Sequence, residues 1–218
     1  MKSKMIKSLK EVVQMTETGN IEKQLRESEE RFTLAVEGAQ DGIWDWNLLD
    51  NSQFMSPRWK EIIGYSDQEL PSSFAAFADN LHPEDKSRVM DNLQKYLNGE
   101  LNRYNVEFRM RHRDGSYRWI LSRGAGIRDG AGKIYRMAGS HTDITDRVLQ
   151  DEKIRLFSQV VEQSPVTVVI TDLAGDIQYA NPKFAETTGY TPAEAAGMNP
   201  RILKSGQFDN NDYQTMWN

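Results

Sequence analysis

Residues 62–70 read "IIGYSDQEL", and residues 187–195 read "TTGYTPAEA". The same Gly-Tyr pair returns, followed at the same distance by Glu69 and Glu194. Shifting the chain by 125 residues extends the echo outward from this stretch. Between 32–69 and 157–194 there are ten identities in 38 positions without a gap, among them Phe32/Phe157, Glu37/Glu162, Pro57/Pro182 and Gly64/Gly189. Ordinary composition gives roughly two or three by chance. Similar pairs add to the list: Phe54 with Tyr179, Arg58 with Lys183, Trp59 with Phe184. The chain therefore carries one unit of domain size twice, not a short solenoid period.

The copies differ in completeness. Copy one continues past Glu69 to Thr145, whereas copy two reaches Asn218 only 24 residues after Glu194. The expectation is a fragment of a longer protein, ending inside its second domain.

Local patterns give the unit its class. "DGIWDWNLLD" is short, aromatic and alternating, as a strand is, and a turn at Asp50-Asn51 leads to a second strand around Gln53–Met55. Ser56-Pro57 opens a helix, with Ser as cap and Pro at the first helical position, and Gly64 stops it. Ser66 caps a short turn, and apolar Phe74, Phe77 and Leu81 follow. His82-Pro83-Glu84 starts a longer helix whose apolar face is Val89, Leu93 and Tyr96 or Leu97. Three strands come next. "YNVEFRMRHRDG" alternates Val106, Phe108 and Met110 inward against Glu107, Arg109 and Arg111 outward, and Asp114-Gly115 marks a tight hairpin. "YRWILSRGAGIRDG" is closed by a turn at 129–132, and "KIYRMAGSHTDIT" is last. This order predicts an α+β domain, a five-stranded antiparallel sheet with short helices on one face. Copy two repeats the opening: strand "VTVVITDL", strand "IQYAN", a helix from Asn181-Pro182 to Gly189, a turn capped by Thr191, and a longer helix from Asp209.

Outside the copies, Ile21, Leu25, Ser28 and Phe32 step as a heptad seam, with Met5, Leu9 and Val12 a weaker one before Gly19-Asn20. Ile154, Phe157 and Val161 step likewise between the copies, beside Leu149, Leu156 and Val160. These amphipathic, coiled-coil-like helices either pack on their own sheets or pair two chains as a parallel homodimer. The division expected is a helical segment at 1–28, a first domain at 29–146, a linker helix at 147–163 and an incomplete second domain at 164–218.

Bulk composition bounds the function. With 218 residues, 38% of them hydrophobic and 10% aromatic, the chain has material for packed cores. It has no cysteine, which excludes disulfides, thiolate metal sites and cysteine nucleophiles. A net charge of −5 disfavours a nucleic-acid surface. No apolar run reaches the length of a membrane span, and the expected compartment is the cytoplasm. Lys2, Lys4, Lys7 and Lys10 form a solvated helix face, and Glu29-Glu30 and Glu84-Asp85 are expected at helix starts, favouring the dipole. The glycines of "GAGIRDGAG" fit neither a dinucleotide nor a phosphate loop and read as a hairpin turn. Trp44, Trp46, Trp59, Phe108 and Trp119 form either plain core or the lining of a small cavity. No catalytic or metal constellation stands out.

The motifs "SEERFTLAVEGAQDGIWDWNL", "SPRWKEIIGYS", "LHPED", "RHRDGSYRWILSRG" and "GSHTDITDR", in this order, resemble the PAS sensory family with its PAC motif. Copy two resembles the first half of another PAS domain through "ITDLAGDIQYANPKFAETTGYTPAEAAGMNPRILKSG". The resemblance implies a signal-transduction sensor without catalysis of its own. It would feed an output domain outside this chain, of histidine kinase or diguanylate cyclase type, in response to a small ligand or partner. The alternative is a ligandless dimerisation scaffold. At Asp143-Ile144-Thr145 the Asp side chain accepts hydrogen bonds where the strand stops and Thr145 or Asp146 caps the outgoing helix, a structural cap at the least, to which the resemblance adds the role of signal joint. Haem is disfavoured, since residues 84–98 hold no histidine and His82 reads as a cap. Asn199, Arg201 and Leu203 match the flavin-contacting segment of light- and redox-sensing relatives, so the resemblance allows a flavin in a complete second domain, while none is expected in this chain, which lacks the strands that would close the pocket. A cysteinyl adduct is excluded, because Pro200 stands at the photochemical position.

Overall fold

The computed structural model describes residues 2–203, with side chains for residues 20–203. The chain divides into two units, at Asp146/Arg147.

The first unit opens with α1, Lys2–Ala39. It runs unbroken through Gly19-Asn20, where the sequence pattern predicts a separation. A single interior glycine costs a helix about 1 kcal/mol, too little to stop one this long. The same continuity puts Glu29 and Glu30 in mid-helix, so they do not serve a helix start. The side chains of Met5, Leu9, Val12 and the four early lysines lie outside the described residues.

The sheet that follows comprises β1 (Gly42–Asn47), β2 (Gln53–Met55), β3 (Tyr104–Arg111), β4 (Tyr117–Arg128) and β5 (Ile134–Asp143). All pairings are antiparallel and the order is β2-β1-β5-β4-β3. Between β2 and β3 come α2 (Pro57–Ile62), α3 (Phe74–Asn80) and α4 (Pro83–Leu97). Each is capped as its sequence dictates: Ser56, Ser73 and His82 accept from Trp59 N, Ala76 N and Glu84 N. These helices cover one face of the sheet. Val106, Phe108 and Met110 of β3 meet Val89 and Leu93 of α4 and Trp59 of α2 in one core.

The stretch "IIGYSDQEL" is where α2 stops and is fastened down. Gly64 takes φ +84°, the left-handed conformation that glycine alone adopts without strain. A Cβ there would also collide with the His112 imidazole. Arg113 N donates to Ile63 O at 3.0 Å, and the Arg113 guanidinium pairs with Glu69 at 2.7 Å. The buried ammonium of Lys60 donates to the carbonyl and carboxylate of Asp67, at 2.9 and 2.8 Å. The turn after α2 is thus bolted to the β3–β4 hairpin, which is remote from it in sequence.

In the second unit α5 (Thr145–Glu162) leads to β6 (Val169–Thr171), β7 (Ile177–Ala180), α6 (Pro182–Thr188) and α7 (Pro192–Ala195); Thr145 and Asp146 of α5 belong to the first unit. Gly189 ends α6 at φ +78°, as Gly64 ends α2, and Thr191 with Glu194 forms a reciprocal capping box. The two tyrosines beyond these stops differ: Tyr65 packs against the core, while Tyr190 is exposed. The helix expected from Asp209 lies outside the described residues.

Candidate functional site

Strand alternation selects what faces the helices in the first unit. The register pairs Trp44 with Gly139 and Trp46 with Met137 across β1 and β5, and Ser122 with His141 across β4 and β5. The Trp44 indole lies against the sheet where two glycines, Gly124 and Gly139, face each other; a Cβ at Gly124 would meet the ring at 2.6 Å. Gly126 is pressed in the same way by Ile134. Gly124 and Gly126 therefore lie within β4, not in a hairpin turn, which is confined to 129–132. Glycine stands there because a partner side chain needs the space.

Around Trp44 is a cavity of about 40 Å³, walled by Trp46, Trp59, Phe74, Phe77 and Tyr104, with Ser122 and His141 on its sheet side. One water needs roughly 10–15 Å³ of such volume, so the space takes about three water-sized groups. Drug-sized ligands occupy pockets of roughly 300 Å³ or more. The cavity is chiefly apolar, yet Trp44 Nε1, Trp59 Nε1 and Ser122 Oγ have no aligned hydrogen-bond partner. Leaving a buried donor unpaired costs about 1–3 kcal/mol. His141 is enclosed by the rings of Trp44, Trp59, Phe77 and Phe108. Burial pulls its pKa down to about 3, so the imidazole is neutral at physiological pH. The phenol of Tyr104 is pushed up to about 12 by burial, against a weaker opposing pull from the Ser122 hydroxyl.

Of the aromatic set read from sequence, Trp44, Trp46 and Trp59 line this cavity. Phe108 is fully buried behind it, against His141. Trp119 is not part of it. It pairs with Arg109 on the opposite face of the sheet, where the guanidinium sits 5.6 Å from its ring. His141, Tyr104 and Ser122 carry no sequence signal of a site, although the alternation Met137, Gly139, His141 already puts the histidine inward.

β5 runs from this cavity directly into the start of α5. Asp143 Oδ1 accepts from Thr145 N at 2.9 Å and from Thr145 Oγ1 at 2.5 Å. Thr145 Oγ1 in turn accepts from Trp119 N at 2.9 Å, and Ile144 N donates to Trp119 O at 2.8 Å. The carboxylate that serves the helix start is thus Asp143, and Thr145, one of the two residues expected as the cap, instead binds the helix start to β4. Ile144 is buried between them.

In the second unit Asn199 braces a turn: its Oδ1 accepts from Arg201 N and its Nδ2 donates to Gly175 O, both at 3.1 Å. Arg201 and Leu203 are exposed on the short 3-10 turn Pro200–Leu203. Asn199 is thus engaged within its own turn, beside the exposed Arg201 and Leu203. Asn181, which the sequence marks only as a helix cap, is fully buried and makes four side-chain hydrogen bonds. Among the described residues no cluster of three or more His, Cys, Asp or Glu could hold a metal, and no helix is long and apolar enough to cross a membrane.

Known proteins resemble the chain along most of its length. Two family models, both described as PAS fold, match residues 53–141 and 155–214. A crystal structure of a sensory box histidine kinase/response regulator from Burkholderia thailandensis is 41% identical, with a TM-score of 0.53, over 59% of this chain and 95% of that one. An uncharacterized protein, y4lL, of Sinorhizobium fredii is 32% identical over 84% of this chain. A protein of Escherichia coli named "Probable diguanylate cyclase DgcE" is 26% identical over 88% of it. The chain spans 22% and 17% of the lengths of these last two.

Proposed function

We propose that this chain, which belongs to the PAS family, is the sensory part of a longer signalling protein. The first unit takes up a small neutral ligand, and β5 passes its presence to α5. The segment is regulatory. The catalytic output, of histidine kinase or diguanylate cyclase type as the relatives' names suggest, belongs to the parent protein. The supporting observation is the adjacency of cavity and joint: His141 walls the cavity, and Asp143, two residues on, holds the first N–H of α5.

Dimerisation is part of the reading. Ile21, Leu25 and Phe32 are 58–64% exposed along α1, and Ile154 and Phe157 of α5 are 60–67% exposed. Val161, the last residue of the second seam, is half-buried, and a parallel coiled pair would bury the exposed ones. We place the protein in the cytoplasm, where such kinases and cyclases find their substrates. For the second domain, a flavin is the cofactor its resemblance suggests, and quenching of flavin fluorescence on titration tests that separately.

Native mass spectrometry and an absorbance scan of the purified chain test the sensing role. The expected result is a retained small molecule that is lost, with a drop in melting temperature, in a Ser122→Leu variant. A first unit that carries and binds nothing, together with a stable dimer by light scattering, would turn the reading to a ligandless scaffold.

A further inference from the structure

The two copies hold their entering helices by different means. In the first unit Ser56 Oγ accepts from Ile43 N at 2.9 Å and Trp59 N at 3.2 Å. In the second unit Asn181 occupies the matching position. Its Oδ1 accepts from Val168 N at 2.9 Å and Phe184 N at 3.2 Å, from residues 125 places beyond Ile43 and Trp59. An amide, unlike a hydroxyl, still has an NH2 to place. Asn181 Nδ2 donates to Val161 O at 3.1 Å, in the last turn of α5, and to Val166 O at 2.9 Å. Two residues earlier, the Tyr179 hydroxyl donates to Glu162 Oε1 at 2.7 Å.

The first unit has the acceptor but neither donor. Glu37 stands where Glu162 does, but Phe54 replaces Tyr179 and has no hydroxyl. Among the described residues, the side-chain tie back from α2 is Arg58 Nε to Gln40 O at 3.1 Å, one residue past the end of α1. Between the end of α1 and the sheet lies an open groove, walled by Phe32, Val36, Ile43, Phe54 and Pro57. Gln40 itself sits at φ +55°, a conformation that a side chain makes costly.

We propose that Asn181 and Tyr179 clamp the end of α5 to β7 and the start of α6 as one rigid piece, whereas α1 meets the first sheet through a compliant joint at residues 36–41. The clamp carries signalling meaning only if α5 is the relay proposed above. As a physical device it does not depend on that reading. Under the relay reading, α5 is held at its start by Thr145 and at its end by Asn181, so motion imposed on it enters the second unit with little loss. Motion of α1 is absorbed before it reaches the first sheet.

Amide hydrogen exchange on the whole chain tests the device without any cue, ligand or output domain. Amides of 161–164 should exchange at least tenfold more slowly than those of 36–39. Grafting the first-copy residues, Tyr179→Phe with Asn181→Ser, should remove that difference. The reverse graft, Phe54→Tyr with Ser56→Asn, should slow exchange at 36–39. Tyr179 is partly exposed, so Tyr179→Phe alone leaves the fold standing and should speed exchange at 161–164 about threefold. Equal rates at the two helix ends, or a Tyr179→Phe variant indistinguishable from the parent, would overturn the proposal. A failure to find ligand or dimer would leave it intact.

Discussion

Replacing Asp85 by Asn should destabilise the first unit by an amount that depends on pH in a calculable way. Asp85 sits in the first turn of α4 with its side chain 10% exposed. Its Oδ2 accepts from Arg109 Nε and from Arg109 N, both at 2.9 Å, and its Oδ1 accepts from the second guanidinium arm at 3.1 Å. The hydrogen bonds from the Arg109 guanidinium lower the Asp85 pKa from 3.8 to about 2, the backbone N–H adds to this, and burial opposes it. A fall of this size corresponds to about 2 kcal/mol of folding free energy. Because the folded value is the lower one, this stability is fully present above the unfolded pKa and is lost as pH falls through the folded one. The Asp85→Asn variant, neutral at that position at every pH, should therefore trail the parent by about 2 kcal/mol at pH 7 and by about 1 kcal/mol at pH 3, and the gap should close below pH 2. For a unit that ends at Asp146 the deficit at pH 7 is roughly 4–8 °C in melting temperature. Tryptophan fluorescence under urea is the assay, since four of the five tryptophans, Trp44, Trp46, Trp59 and Trp119, belong to this unit. Glu84→Gln is the control. It removes a carboxylate that is 75% exposed and should cost under about 0.5 kcal/mol. A gap of the same size at pH 7 and pH 3 would refute the linkage, and a gap below about 0.5 kcal/mol at pH 7 would refute the clamp itself.

Thr145→Val keeps the shape of the joint but leaves Trp119 N–H without its acceptor, so it should cost about 1–3 kcal/mol and speed exchange of the Trp119 amide; unchanged protection of that amide would contradict the assignment. Gly64→Ala should lose more than Gly189→Ala. Both incur the positive-φ cost of about 1–2 kcal/mol, but only Gly64 faces a neighbour, His112, whereas nothing lies within 4 Å of a Cβ at Gly189; equal losses in urea unfolding would mean that His112 yields freely. Gln40→Gly should gain about 0.5 kcal/mol by relieving its left-handed backbone, and a loss would show that its side chain is worth more than the strain.

The features legible in the sequence were those decided by neighbours along the chain. Ser56, His82 and Thr191 cap as their spacing dictates, Gly64 and Gly189 stop their helices, and β3 alternates as written. What escaped depended on residues distant in sequence. Gly124 and Gly126 look like turn glycines until Trp44 and Ile134 are seen pressing on them. Trp119 carries the same aromatic weight as Trp44, and only its parity on β4, opposite Arg109 and not Phe108, puts it outside. His141 escaped for the converse reason. Its parity was available, but a lone histidine in a strand gives no local sign that four aromatic rings will close around it. Asn181 looks like an ordinary cap, and its second pair of bonds depends on a helix residue twenty positions earlier.

Whether the cavity could drive the joint comes down to energy and reach. His141 and Asp143 are two residues apart on one strand, about 7 Å, so a displacement at the cavity wall arrives at the α5 cap with almost no intervening chain to absorb it. A ligand can shift a two-state element only by the difference in its affinity for the two states. Full reversal from 1:99 to 99:1 takes about 5.5 kcal/mol. The indole N–H groups of Trp44 and Trp59 are unpaired in this state. An acceptor-bearing ligand that satisfied both would recover about 1–3 kcal/mol for each. Two such bonds reach the requirement only at the top of that range, so shape fit in the aromatic-walled space has to supply the rest. Trp44 makes the broader contact with β5, against both Gly139 and His141. Its ring rests on Gly139 of β5, so a ligand that moves it presses or releases the strand that ends in Asp143. Trp59 touches the same strand through the His141 ring, 5.4 Å from its own, so a Trp44→Phe variant that still binds but no longer alters α5 exchange would assign the coupling to Trp44, and one that still alters it would assign the coupling to Trp59 and His141.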